Sequence, residues 1–174
     1  MSLTPEQASF LLNVGISSFR NEHPVTRRVI EAIPLDKSDY RPDDIAKSAI
    51  DLSWHIVNTE RMFLDAIAAG DFDLTPFKRP AEIQNSADLS NWYGRMFEEK
   101  SAKVAQLSSE ELAKVIDFRG LFQMPAISFL QFAISHTIHH RGQLSMYLRP
   151  MGARVPSIYG ESYDTAQAKK AQQP

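Results

Sequence analysis

Two histidines in the last third of the sequence are spaced for joint metal binding. His136 and His140 stand four residues apart within Ser135–Gln143. If this segment is helical, the two imidazoles project about 40° apart from one face, whereas His139 points about 60–100° away from them. Histidines at positions i and i+4 are the arrangement with which a helix offers two ligands to one metal ion.

The pair alone also fits a structural role, in which one imidazole hydrogen-bonds in the core and the other lies at its rim. Neutral imidazoles buried without partners leave ring nitrogens unsatisfied, which costs free energy, and a metal ion removes that cost. A third ligand is then needed. His55 is the candidate because it flanks an apolar helical stripe, and the ligands of a helix bundle converge from facing helices.

Carboxylates are missing from the immediate surroundings of the pair. A zincin metalloprotease has a glutamate directly after its first histidine, whereas Thr137 stands there in this sequence. Asp51 and Glu60 share the predicted helix of His55. We expect both to be solvated, with orientation of a ligand histidine as the alternative. An iron site of two histidines and one carboxylate would need one of them.

The composition restricts the chemistry further. The chain has 174 residues, a net charge of −2 and no cysteine. Disulfides, thiolate ligands and a cysteine nucleophile are therefore excluded, and any thiol must come from outside. Without a basic-aromatic patch or a P-loop we expect no nucleic-acid partner. No signal peptide or membrane-spanning stretch is recognisable, so we expect a cytoplasmic protein without a membrane partner.

Four long helices are predicted to position these residues. The first opens at Thr4-Pro5 and breaks or kinks at Pro24, which leaves His23 solvated at the break. The later pieces are predicted over Val25–Ile33, roughly Asp43–Ala69, Ser86–Leu107, and Pro125 to near Arg149. A crossover loop over residues 71–85 and a short hairpin around Arg119-Gly120 connect them. This pattern predicts an all-α four-helix bundle with a long crossover connection over residues 1–161, followed by a polar tail over 162–174.

The apolar residues of two helices predict how they pack. In the first helix, the predicted helical stripe consists of Phe10, Leu11, Val14, Ser18 and its neighbour Phe19. In the last helix, an apolar set lies about 140–180° from the histidine pair, so this helix is apolar on both sides. The set consists of Ile127, Ile134 and Ile138. We expect it either to lie under the first helix or to form a homodimer contact.

Two polar residues next to the second histidine have different expected roles. Gln143 falls on the same face as His140, where it can hydrogen-bond a ligand histidine or a substrate. Arg141 points away from that face, and we expect it to form a structural ion pair.

Two blocks of the sequence resemble the DinB-like (DinB/YfiT) superfamily. The first is Ser48-Ala49-Ile50-Asp51-Leu52-Ser53-Trp54-His55, and the second is His136-Thr137-Ile138-His139-His140-Arg141-Gly142-Gln143-Leu144. The stretch Val155–Gly160 resembles the usual close, so the resemblance covers most of the chain. It implies a four-helix bundle that binds a metal through three histidines, which are His55, His136 and His140 at the matching positions.

The resemblance also implies a class of function. Members of the superfamily include metal-dependent transferases and isomerases that act with low-molecular-weight thiols, so we expect an enzyme that takes a small-molecule substrate and an exogenous thiol. A hydrolase that uses a metal-bound hydroxide is a variant. The alternative is a non-catalytic, metal-stabilised, stress-associated bundle protein. Histidine-only ligation suits zinc, nickel, copper or iron. We expect zinc or nickel, with iron or manganese as alternatives.

Overall fold

The computed structural model describes residues 2–172, which form a mostly helical chain with one small hairpin. The helices are α1 (Pro5–Glu31), α2 (Ala49–Ala69), α3 (Ser86–Ala105), α4 (Ser109–Ala113), α5 (Ser128–Leu148) and α6 (Tyr163–Lys170). A single 3-10 turn spans Leu35–Lys37. Strands β1 (Val115–Phe118) and β2 (Phe122–Pro125) pair antiparallel, with Val115 opposite Pro125.

The four long helices pack as a bundle, which confirms the predicted fold class. Helices α3 and α5 each contact both α1 and α2, so α1 and α2 lie on one diagonal. The connections over residues 32–48 and 106–127 cross the bundle. Residues 71–85 join the neighbours α2 and α3, so the prediction of a crossover loop there is wrong. Because α2 and α5 are direct neighbours, side chains on their facing sides can meet. In the described part of the chain, no helix combines the length and the apolar composition that crossing a membrane requires.

Helix α1 continues through Pro24, so the predicted break into two pieces is wrong. Its start is as expected, because Thr4 and Gln7 form a capping box and Pro5 takes the first helical position. Proline inside a helix removes one backbone hydrogen bond. Side chains on both sides of Pro24, including Phe19 and Val29, are buried in the same core, and this packing holds the helix together.

The buried face of α1 differs from the predicted stripe. Phe10, Leu11 and Val14 are exposed, and of the predicted residues Phe19 alone is buried. The core-facing residues of this half of the helix are instead Ala8, Leu12, Ile16 and Phe19. Both sets recur at helical spacing, so the period could not choose between them.

The apolar set on the far side of α5 is covered within the chain. Ile127 and Ile134 are buried and Ile138 is partly buried, as expected for packing under the first helix. The two helices approach closely, since a β-carbon at Gly15 of α1 would lie 2.8 Å from Leu130 of α5. The set is therefore covered and does not form the alternative homodimer contact, whereas a homodimer as such stays a prediction.

The starts of α2 and α5 differ from their predicted positions, whereas α3 begins at Ser86 as predicted. Helix α2 begins at Ala49 instead of Asp43, because Asp43 caps a turn by accepting from two following backbone N–H groups and Ser48 caps the helix. Its end at Gly70, a left-handed residue with φ 67°, is as predicted. Helix α3 is capped by Asn85, and helix α5 begins at Ser128, after Pro125 has closed β2.

The short elements are partly as predicted. The hairpin turns at Arg119 and Gly120, whose φ values of 59° and 70° are both positive. Helix α4 was not predicted; Ser108 starts it with a capping box. The predicted tail contains the helix α6. Asp164 of this helix accepts a hydrogen bond from the Val155 N–H and forms an ion pair with Arg149 at the end of α5. The last two residues of that tail lie outside the described residues, and the boundary between residues 161 and 162 stays a prediction.

Candidate metal centre

The three predicted ligand histidines meet between α2 and α5. Nε2 of His55 lies 3.0 Å from Nε2 of His136 and 3.2 Å from Nε2 of His140. One ring nitrogen of each histidine lies within 4.8 Å of the other two. All three side chains are half-buried. His55 is more than 80 sequence positions away from His136 and His140, and the contact between α2 and α5 brings the three together.

The spacing of these nitrogens fits a divalent metal ion. With metal–nitrogen bonds of about 2.0–2.1 Å, two ligand nitrogens lie about 3.3 Å apart at a tetrahedral angle and about 2.9 Å apart at a right angle. The two observed separations, 3.0 and 3.2 Å, fall between these values. The donor set can therefore hold a metal ion, and three nitrogens leave positions open for other ligands.

The environment favours the neutral, metal-binding form of the imidazoles. Burial lowers the pKa of His136 to about 4, and the neighbouring His140 and His55 add to this effect. Burial also lowers the pKa of His55, with His140 and Lys47 as further causes. Because a metal binds the unprotonated nitrogen, these lowered pKa values keep His55 and His136 in the competent form near neutral pH.

Gln143 orients one ring of the histidine group. Its Oε1 lies 3.0 Å from Nδ1 of His140, so the amide oxygen accepts the Nδ1–H hydrogen bond. This bond leaves the lone pair on Nε2 of His140, the atom that faces His55. The prediction that Gln143 lies on the side of the histidine pair is confirmed.

The other two histidines lie outside the group. His139 is exposed on α5, as its angular position predicts. His23 was expected in solvent, and that prediction is wrong: its side chain is 7% exposed and stacks on Phe97 at 3.9 Å. Burial, followed by the charge of Arg27, lowers the pKa of His23 to about 4. The sequence carried a signal for this, because His23 stands four residues after the buried Phe19.

Glu60 was predicted to be solvated, and the structure corrects this, because it is fully buried. The Tyr93 hydroxyl lies 2.9 and 2.8 Å from its two carboxylate oxygens, and Thr137 Oγ1 donates to Oε2 at 2.8 Å. Burial raises the pKa of Glu60 to about 8. Its oxygens are engaged by these hydroxyls, so it is not a ligand in the histidine group.

Asp51 is turned toward cations, and it does not orient His55. Its carboxylate lies 3.0 Å from Nη1 of Arg79 and 3.7 Å from Nη2 of Arg41, and it accepts from the Ser48 hydroxyl. Within residues 2–172, no carboxylate joins the three histidines. The alternative of two histidines and one carboxylate is therefore not the arrangement of this site.

Arg141 forms the predicted structural ion pair. Its guanidinium is 1% exposed and lies 2.6 Å from Oε2 of Glu22 on α1. It also donates to Thr26 Oγ1 at 3.2 Å and to the Tyr159 hydroxyl at 2.7 Å. This network ties α5 to α1 and to the segment after α5, on the side away from the histidine group.

An open cleft of about 510 Å³ borders His55. Polar and charged residues form much of its lining, which consists of Arg41, Ile45, Ala46, Lys47, Asp51, Trp54, His55 and Asn58. Half of these residues come from the connection between α1 and α2, a segment for which the sequence predicted no functional role, and the other half come from α2. The half-buried histidine group is therefore next to a space that can admit a small molecule.

The model of the DinB family matches residues 10–173 of the sequence. The chain belongs to the DinB family. This DinB protein is 32% identical to the uncharacterized protein YjoA of Bacillus subtilis (strain 168) over 143 residues, which cover 80% of this chain and 90% of YjoA. It is 33% identical to the uncharacterized protein YrdA of the same strain over 114 residues, 63% of this chain and 64% of YrdA.

Solved DinB-like structures share the fold. The crystal structure of the DinB-like protein YjoA from Bacillus subtilis matches with a TM-score of 0.69 and 28% identity, over 84% of this chain and 99% of that one. A DinB-like protein from Bacillus cereus ATCC 10987 matches with a TM-score of 0.69 and 20% identity, over 91% of this chain and all 100% of that one. The second likeness concerns the fold alone. The family that the two sequence blocks resemble is thus confirmed.

Proposed function

We propose that this DinB protein is a metal-dependent enzyme that binds one divalent ion through His55, His136 and His140 and acts on a small molecule with an exogenous thiol. The observation that carries the proposal is the convergence of three Nε2 atoms at a half-buried position that borders an open cleft. Zinc and nickel are the ions we propose first, because both accept histidine nitrogen ligands.

The chain's own residues hold and orient the reacting groups. The three imidazoles provide the ligand nitrogens, and Gln143 fixes the tautomer of His140. The cleft beside His55 admits the substrate. A bound divalent ion supplies Lewis acidity and lowers the pKa of a water or thiol in an open position. Because the chain has no cysteine, the nucleophilic sulfur belongs to a second small molecule.

The charges around the site favour thiol chemistry over hydrolysis. Hydrolysis benefits from a general base that takes a proton from water. Glu60 is engaged by Tyr93 and Thr137, and Asp51 by Arg79, so neither of these carboxylates is free for that role. A thiol has a pKa near about 8.5 and loses its proton far more readily than water does. We therefore place the thiol transferase or isomerase reaction first and hydrolysis second.

A non-catalytic role is the second candidate function. A metal ion at the three histidines would tie α2 to α5 and stabilise the bundle. Such a role needs no access for a substrate. A structural metal site can be closed to solvent, whereas an enzyme needs access for its substrate. The open cleft beside His55 therefore supports the enzymatic role.

The first experiment measures metal content. Protein purified without a histidine tag or a nickel column is expected to contain about one equivalent of a divalent metal by elemental analysis. His55→Ala, His136→Ala and His140→Ala each lose it. His139→Ala, which removes an exposed histidine of the same helix, retains it. Equal metal content in all four variants would contradict the site.

The second experiment separates the two functions. The metal-loaded protein is incubated with low-molecular-weight thiols, each paired with alkyl halides, aryl halides or unsaturated carbonyl compounds, and thiol consumption is followed. We expect consumption that metal removal and His140→Ala both abolish. If no thiol is consumed but metal removal lowers the melting temperature, the structural role replaces the enzymatic one. Hydrolysis of activated esters without thiol would favour the hydrolase.

A further inference from the structure

The cleft beside His55 has an unequal set of charged groups. Arg41 and Lys47 are its cationic residues, and Asp51 is its acidic one. Asp51 already lies 3.0 Å from Arg79 and 3.7 Å from Arg41. Its negative charge is therefore balanced by neighbouring guanidinium groups, and the lining is cationic as a whole.

Lys47 is the cation of this lining that has no acidic partner. Among the ion pairs of residues 2–172, none within 4.0 Å includes Lys47. The nearby Asp43 is turned into its own loop, where Oδ1 accepts from the N–H groups of Ile45 and Ala46. Arg41 is partly engaged, since Nη1 donates to the Ala46 carbonyl at 2.9 Å.

Trp54 gives the same cleft an apolar wall. Its ring packs against Trp92 at 5.4 Å and against Phe77 at 6.0 Å, so neighbouring aromatic residues hold it in place. Trp54 also directly precedes His55 in α2. One cleft thus places a free ammonium group, a fixed indole face and a metal-ligand histidine around a single space.

We propose that this cleft binds a carboxylate-bearing small molecule, whose anionic group contacts Lys47 while its apolar part lies against Trp54. This assignment names the substrate class of the site, and it rests on the proposed function in taking the cleft as the entry to the histidine group. A carboxylate can form a charge-assisted hydrogen bond with an ammonium group, and the free lysine provides one.

The first test needs no metal. In a Trp92→Phe background, Trp54 is the one tryptophan left, since the chain has two. Its fluorescence is quenched with iodide, an anion, and with neutral acrylamide. We expect Lys47→Gln to lower the iodide quenching constant about twofold and to leave acrylamide quenching unchanged, because the local anion concentration falls.

The matched control is Lys103→Gln, which also removes one positive charge. Lys103 is exposed and pairs with Glu99, next to the pair of Lys100 and Asp65. Asp65 lies about 17 Å along α2 from Trp54, whose fluorescence is measured, at about 1.5 Å per residue, and this distance exceeds the Debye length of about 8–10 Å. The control should therefore leave both quenching constants unchanged. Equal iodide quenching in Lys47→Gln and in its parent overturns the proposal.

The second test uses the protein loaded with Co²⁺, whose visible absorption changes when a thiol binds. The probes are 3-mercaptopropionate and the neutral 3-mercapto-1-propanol, which have the same chain length. We expect the carboxylate probe to bind more tightly, and Lys47→Gln to reduce its advantage about threefold to fivefold. Two results overturn the proposal. In one, Lys47→Gln prefers the carboxylate probe over the neutral probe as strongly as the unaltered protein does. In the other, the unaltered protein binds both probes equally well.

The two tests separate this proposal from the proposed function. If Co²⁺ is not retained but iodide quenching depends on Lys47, the metal site fails and the anion preference of the cleft stands. If Co²⁺ is retained and both thiols bind equally, the metal site stands and the carboxylate assignment fails.

Discussion

Thr137 of α5 donates a 2.8 Å hydrogen bond to the buried carboxyl group of Glu60 on α2. Thr137 directly follows His136, and Glu60 lies five residues after His55 on the same helix. Tyr93 of α3 bonds to the same carboxylate. The contact therefore fixes how α2 and α5 lie against each other beside the point where the histidine nitrogens meet.

Replacing Thr137 by valine should weaken both the fold and the site. The change keeps the side chain's shape but removes a hydroxyl that bonds to Glu60, and an incompletely satisfied buried acceptor costs about 1–3 kcal/mol. Urea unfolding is expected to show this loss, and titration with zinc is expected to show a lower affinity. Thr137→Ser, which keeps the hydroxyl, should stay close to the unaltered protein in both measurements. Identical unfolding of the two variants would refute the role of this bond.

Replacing Gln143 by leucine should weaken metal binding more than it weakens the fold. The amide oxygen that holds the Nδ1–H of His140 is lost, and outer partners of metal ligands are worth about 10–100-fold in affinity. Competition with a chelator measures the zinc affinity of each variant. Gln143→Glu keeps an acceptor in the same place and should retain at least the original affinity. A leucine variant with unchanged affinity would show that Gln143 does not orient His140.

Replacing Arg141 by methionine should destabilise the protein by about 3–5 kcal/mol, because Glu22 is left without its buried partner. Unfolding in urea checks the value. The double variant Arg141→Met with Glu22→Gln removes both charges and should recover part of the loss. If the losses in the free energy of unfolding of the two single variants add up to the loss of the double variant, Arg141 and Glu22 do not stabilise each other, and the prediction is wrong.

The stability of the metal-free protein should fall as the pH is lowered from about 6.5 to about 4. Burial lowers the pKa of His23 to about 4 in the folded state, so the unfolded chain takes up a proton first. The contribution is fully present above pH 6.5, and His23 alone can cost up to about 3 kcal/mol at pH 4.

His23→Phe isolates this effect, because His136 and His55 also have lowered pKa values. Phenylalanine can keep the stacking contact with Phe97, and the Nδ1 atom that it removes has no hydrogen-bond partner within residues 2–172. Urea unfolding of both proteins at pH 7 and at pH 4.5 should show similar stability at neutral pH and a smaller loss for the variant in acid. Equal losses would contradict a buried, neutral His23.

The sequence was sufficient to predict the bundle and to place two of the three candidate histidines on one helix face, because both follow from local regularities. The spacing of His136 and His140 pairs them on any helix, and the exposed position of His139 follows from the same geometry. Gly70 ends α2 as predicted, since its left-handed conformation suits glycine. Helical spacing alone could not select the third histidine, His55. Its selection required the assumption of a facing helix or the family resemblance.

The tertiary structure decided what each helix faces. From the sequence, Glu60 and His23 were predicted to be solvated. Packing of α3 against α1 and α2 instead surrounds them with Tyr93 and Phe97. Pro24 was predicted to break the first helix, but buried residues on both of its sides keep α1 continuous. Helical period alone could not tell the face with Phe10 from the face with Leu12, because both have the same spacing. Spacing along one helix is a property of the local chain, whereas burial depends on which neighbour covers each face, and that neighbour comes from a distant part of the sequence.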